Sequence, residues 1–171
     1  MRIVLALFLL TCSLLAQNAP APLETFKSLA FLEGTWEAKA KTEGVVGAGT
    51  YTFGSELDGH ILARHSTNDG DCKGPAEFDC EHSDLLYVYQ DAPGQMLKAI
   101  YFDNEGHVIH YEVSTPNQKT AVFLSEASQP GPQFRLIYEL KGSIMSGKFQ
   151  MHMPGQEDWK SYLEWSGARK K

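Results

Sequence analysis

The stretch Phe31-Leu32-Glu33-Gly34-Thr35-Trp36-Glu37-Ala38 sets the reading of the whole chain. Gly34-Thr35-Trp36 opens a run in which Trp36, Ala38 and Ala40 alternate with Thr35, Glu37 and Lys39. A period of two with one dry and one wet face is a half-buried β-strand. On the N-terminal side, Leu23, Phe26 and Ala30 recur at helical spacing with Leu29 beside them. That spacing predicts a short helix lying against one end of a sheet, broken at Glu33-Gly34.

The strand rhythm continues to the end of the chain. Further strands are expected over 50–57, 60–67, 85–89, 96–102, 107–114, 119–125, 134–140 and 144–153, with a last one carrying Trp159, Ser161, Leu163 and Trp165 in alternation. Turn residues separate them, with Asp58-Gly59 between two such runs as the strongest short hairpin signal. Leu85-Leu86-Tyr87-Val88-Tyr89 is apolar on both parities and is expected to be covered on both sides. Gly147 inside the ninth run marks a candidate bulge or bend. About ten strands with hairpin-sized links close most simply as an all-β, up-and-down antiparallel β-barrel with a short N-terminal helix. Closure also removes the bare edges of an open sheet. A β-sandwich is the alternative, but it needs longer crossovers between its sheets.

The first residues belong to a different class of segment. Met1-Arg2 is followed by an apolar run from Ile3 to Leu10, and Ser13-Leu14-Leu15-Ala16 offers a small residue for cleavage. Residues 1–16 therefore read as a secretory signal peptide, with Ala19 or Ala21 as alternative cleavage points, and no other apolar run is long enough to span a membrane. A lipoprotein signal acylating Cys12 competes with this reading, but Thr11 fits poorly before the cysteine and the apolar region is short. Residues 17–22, Gln-Asn-Ala-Pro-Ala-Pro, read as a disordered mature terminus, and residues 23–171 as one barrel domain. The expected location is secreted or periplasmic.

Removing the leader leaves 14 basic against 21 acidic residues, a net charge of −7. An acidic chain without a Lys/Arg cluster, apart from Arg169-Lys170-Lys171, excludes nucleic acid as an expected partner, and a monomer is expected. Two cysteines then remain, Cys72 and Cys80, and in an exported chain they are expected to form a disulfide that staples a polar loop over 68–83. Closing so short a loop contributes about 2.5 kcal/mol on chain-entropy grounds. Zinc at Cys72 and Cys80 would need two more ligands, and only His82 is near.

Gly34-x-Trp36 at the first strand, the short helix before it, the meander, and Arg169 just after the last strand resemble the calycin superfamily of lipocalins and related barrels. Leu32 to Glu37 together with Leu57-Asp58-Gly59-His60 also resembles uncharacterised secreted bacterial lipocalin-like domains. The resemblance covers about residues 23 to 169. It implies that Trp36 packs across the closed end with Arg169 stacked on it, a cation–π pair of about 0.5–2 kcal/mol. Ten strands rather than eight are closer to the fatty-acid-binding and nitrobindin-like branches. The function implied is non-catalytic binding of a small hydrophobic or amphipathic molecule in the interior.

A ten-stranded barrel can hold a ligand-sized cavity. Tyr51, Phe53, Phe134, Tyr138, Met151 and Trp159 are the candidate ligand-binding residues, by inward parity, with Tyr138 as the polar handle. The competing reading is that the same residues simply fill the core, leaving a structural or interaction domain of the cell envelope. Haem held by His152 as axial ligand is a further alternative. It is set against a parity shared with Lys148 and Gln150, which marks a wet face. No cofactor is expected under the leading reading. No two histidines have metal-ligand spacing, no Gly-x-Ser-x-Gly elbow is present, and Gly44 to Gly49 lacks the lysine of a phosphate loop. His110 with Glu112, on one face of the sixth strand, is a conceivable acid–base pair set against the frequency of such pairs on solvated sheets, and no catalytic residue is assigned.

Overall fold

The computed structural model describes residues 22–75, 80–127 and 130–171. The leader, the cleavage points and nearly all of the mature terminus lie outside the described residues, as does part of the stapled loop. Ten strands follow one another: β1 Gly34–Ala40, β2 Ala48–Glu56, β3 Ile61–Asn68, β4 Asp84–Tyr89, β5 Leu97–Asp103, β6 Val108–Asn117, β7 Thr120–Ser125, β8 Gln133–Lys141, β9 Ile144–His152 and β10 Lys160–Ala168. Each pairs antiparallel with its neighbours in sequence, and β1 pairs with β10 to close the barrel. The expected architecture is the observed one.

The N-terminal segment is shorter and tighter than a regular helix. Pro22–Thr25 forms a single α-turn, α1, and Lys27–Leu32 continues as a 3-10 helix. Three residues per turn eclipse positions i and i+3. Accordingly Phe26, Leu29 and Leu32 are the buried residues, whereas Ala30, expected on the same face, is exposed. These three side chains plug one end of the barrel. Trp36 lies over them, and its Nε1–H donates to the Leu32 carbonyl at 2.7 Å. Arg169 stacks its guanidinium 4.5 Å from the centre of the Trp36 ring, and the two residues also form a backbone bridge. Gly34 is required twice over: its φ of +104° is a left-handed conformation, and an added Cβ would meet the Arg169 Nη1 at 3.0 Å.

At this plugged end the β6–β7 and β8–β9 turns have two residues each and the β4–β5 link has seven. The β2–β3 link holds Leu57 and Asp58 at φ of 50° and 55°, followed by Gly59 at 82°. The links 41–47, 69–83, 126–132 and 153–159 connect strands at the opposite end with the β5–β6 turn, and we call that end the mouth. Cys72 and Cys80 are bonded there, 5.3 Å apart at Cα. A backbone bridge between Val46 and Lys73 pins their loop to the β1–β2 link, and the Asn68 side chain donates to the Cys80 carbonyl.

Two expectations change. β4 is buried on its inner face alone, through Leu86 and Val88, while Leu85, Tyr87 and Tyr89 are half-buried outside. Gly147 is not a bulge, because β9 keeps continuous register across it with β8. The irregularity lies in β10, between Ser161 and Leu163.

Candidate functional site

Filling is uneven along the barrel axis. Towards the plug, Phe53, Leu62, Val88, Val113 and Met145 pack as a closed core. Towards the mouth the walls stand apart around a cavity of about 480 Å³. Small residues make the room: Ala38 and Ala40 on β1 and Gly49 on β2 line it where larger inward side chains would fill it. Tyr51, Tyr111, Phe134, Phe149 and Trp165 form its aromatic wall, with Leu136, Leu163 and Met151 completing the apolar surface.

A polar wall faces this aromatic one. Inward parity on β3 runs Leu62, Arg64, Ser66, so an arginine enters the interior and is 4% exposed. A charge so placed must be paired. Arg64 donates through Nη1 to the Tyr138 hydroxyl and through Nη2 to Asp84 at the start of β4. Burial opposes the arginine's charge, and Asp84, Tyr138 and Tyr101 together outweigh it, so Arg64 stays protonated. Burial likewise works against the charge of Asp84, yet Arg64 and His82 hold its carboxyl down to about 2. Burial pushes the Tyr138 phenol up to about 12, so it is a neutral hydroxyl at any physiological pH.

From Asp84 the polar wall climbs to the mouth. His82 places Nε2 at 3.3 Å from Asp84 Oδ2 and 3.0 Å from the Tyr101 hydroxyl, with Nδ1 at 2.9 Å from Glu105 Oε1. The hydrogen bonds to Asp84, then to Glu105, raise its imidazole to about 9, and it carries a proton near neutrality. Tyr101 donates to Asp103 Oδ2 at 3.2 Å. Three buried polar atoms on the cavity-lining residues, Tyr51 Oη, Arg64 Nε and Trp165 Nε1, have no hydrogen-bond partner among the described residues. Such atoms in a cavity wall are the ones that water or a bound molecule satisfies.

Of the residues expected to touch a ligand, Tyr51, Phe134, Tyr138 and Met151 line this cavity. Phe53 points inward but belongs to the closed core, edge-on to Tyr51 and Tyr138. Trp159 is a correction. The β10 irregularity inserts a residue and reverses the parity of everything before it, so Trp159 pairs with the outer face. There it holds Arg135 over its ring at 4.2 Å and packs on His152 at 5.4 Å. His152 is therefore also outside, next to Trp159 rather than in the cavity wall. His110 and Glu112 are exposed on the outer face of β6. Arg64, Asp84, Asp103 and Glu105 carry no signal in the sequence analysis beyond the parity Arg64 shares with Leu62, and His82 entered it only as a neighbour of the two cysteines.

No protein-family model matches the chain, and no curated protein matches it. Among solved structures the barrel is similar to the crystal structure of Rv2717c from M. tuberculosis. The TM-score is 0.57 at 15% identity, over 90% of this chain and 99% of that one. At that identity the likeness is one of fold.

Proposed function

We propose that this chain is an exported, non-catalytic barrel that holds one small amphipathic molecule in its mouth-side cavity. The apolar part of the molecule would lie on the aromatic wall around Tyr51 and Phe134, and its polar group would face Arg64 and Tyr138. The observation that carries the reading is a cavity of about 480 Å³ whose apolar walls converge on a buried arginine with an unpartnered Nε. A concave apolar chamber with a few fixed polar groups is the usual form of a small-molecule site.

The charges narrow the ligand class. Arg64, His82 and His107 are matched by three carboxylates, Asp84, Asp103 and Glu105, so the polar wall has no surplus positive charge. An anionic headgroup would have to compete with Asp84 for Arg64. A neutral hydroxyl or amide, or a cation, needs no such exchange, and this favours amphiphilic alcohols, amides or amines over fatty acids. The reading of haem on His152 draws no support from a ring packed against Trp159 outside the cavity.

The test is uptake of Nile red, a neutral apolar dye, followed by displacement with a long-chain alcohol, amine and carboxylic acid of equal length. Saturable uptake is expected, with the alcohol or amine displacing better than the acid. Ala38→Trp, which fills the chamber from β1, is expected to abolish uptake while leaving the far-ultraviolet circular dichroism unchanged. Absence of saturable uptake by the wild-type protein, or full uptake by Ala38→Trp, would overturn the proposal. Mass spectrometry of what co-purifies with the native protein then identifies the molecule.

A further inference from the structure

At the mouth, residues from two separate links converge. His82 precedes β4, whereas Asp103 ends β5 and Glu105 sits in the β5–β6 turn. We propose that His82, Asp103 and Glu105 form a binding site for one divalent transition-metal ion. One ligand atom from each lies within 4.8 Å of the other two. A tetrahedral ion such as zinc, about 2.1 Å from each donor, needs them about 3.4 Å apart. His82 Nδ1 and Glu105 Oε1 stand at 2.9 Å, a hydrogen bond that an ion would replace by spreading the two donors by about 0.5 Å.

Each donor is oriented by groups outside the triad. The Asp103 side chain is almost wholly buried, and its Oδ1 accepts the backbone N–H groups of Glu105 and His107 at 3.1 and 2.8 Å. Its Oδ2 accepts from the Tyr101 hydroxyl at 3.2 Å and lies 2.9 Å from His107 Nδ1, which orients the carboxylate further. His82 offers a second, independent sign. Its Nε2 faces Asp84, which is itself fixed by Arg64. A metal-binding histidine typically donates its far N–H to a carboxylate, which selects the tautomer whose other nitrogen meets the ion. That order is present here: Arg64 holds Asp84, Asp84 and the Tyr101 hydroxyl face Nε2, and Nδ1 faces Glu105.

The donor chemistry favours zinc or a neighbouring transition ion over calcium, which takes six to eight oxygens and no imidazole. Glu105 is exposed, so the ion can arrive from solvent without unfolding the loop. All three residues also line the cavity, so an ion there borders the ligand chamber. The proposal does not depend on that chamber accepting an organic molecule.

The test is a titration of the chelator-treated protein with Zn²⁺ alone, in competition with a chromophoric chelator. One equivalent is expected to bind, with calcium at the same concentration failing to displace it. Glu105→Gln, in an exposed turn, is expected to weaken zinc at least about tenfold with unchanged circular dichroism, and His82→Ala to weaken it further. Nitrogen-15 spectra of the wild type are expected to show the His82 imidazole shifting at one equivalent, a readout independent of how the variants fold. Absence of stoichiometric zinc binding, wild-type affinity in both variants, or a His82 imidazole that does not move would each overturn the site. Nile red uptake is read separately, so failure of the metal site and failure of the ligand chamber are distinguishable.

Discussion

Gly147 on β9 and Trp165 on β10 are register partners, and the indole lies flat where a side chain of residue 147 would begin. A Cβ placed on Gly147 would come within 2.1 Å of the Trp165 ring carbons. The aromatic wall of the cavity therefore depends on the absence of a side chain on the neighbouring strand. The same indole touches Tyr51 and Tyr138 edge-on.

Gly147→Ala is expected to force Trp165 out of this position. Overpacking of a fitted core typically costs about 1–3 kcal/mol. Urea denaturation should show a loss in that range, together with a shifted tryptophan emission. Unchanged stability and emission would mean the indole does not occupy that space.

At the plugged end, Trp36→Ala removes a fully buried indole and is expected to cost about 3–5 kcal/mol. Arg169→Ala removes the stacked cation and its long hydrogen bond to the Phe31 carbonyl and should cost about 0.5–2 kcal/mol. The double variant should lose less than the two single losses added together, since the pair acts as a unit. Strict additivity in chemical denaturation would show that the stacking contributes nothing to stability.

Arg64 tests the polar wall. Arg64→Met strands Asp84 as a buried carboxylate and is expected to destabilise by about 3–5 kcal/mol. Adding Asp84→Asn removes the stranded charge and should recover part of that loss. A double variant less stable than Arg64→Met alone would contradict the pairing.

The two shifted groups on that wall give stability a pH window in protein kept metal-free. Asp84 falls from 3.8 to about 2 on folding, so its contribution is present above about 3.8 and is lost as pH drops through 2. His82 rises from 6.5 to about 9, so its contribution is full below about 6.5 and is lost as pH climbs through 9. Thermal melts should therefore hold their highest plateau between about 4 and 6.5 for these two groups. His82→Asn is expected to flatten the fall between 6.5 and 9 and to weaken, without abolishing, the acid limb, since Arg64 still holds Asp84. An unaltered alkaline limb in that variant would assign the fall to other groups.

Strand after strand was legible in the chain because alternation and turn residues are local signals. Each observed strand boundary lies within about three residues of the expected one, a scatter normal for pattern reading. Trp36 with Arg169 came from the resemblance to calycins, and the pair stands as implied. Trp159 departs from its expected parity for a local reason: one inserted residue in β10 reverses parity, and the apolar alternation carries no mark of it. The polar wall was lost for a non-local reason. Arg64 and Asp84 stand 20 positions apart, and His82 and Glu105 23, so barrel register rather than spacing brings them together. Arg64 could have been flagged by its parity with Leu62, but its partner could not.

Closure by β1 and β10 has a consequence for how the chain reaches this state. Nine of the ten strand pairings join consecutive strands, and only the β1–β10 seam joins the two ends. A chain emerging from its N-terminus can add each hairpin as it appears, which keeps most contacts local and favours rapid assembly. Throughout that time β1 presents an unpaired edge, open to strands of other molecules. The alternating charges of Glu37 and Lys39 on its outer face then act before the native state exists, discouraging the wrong partner until the last strand arrives.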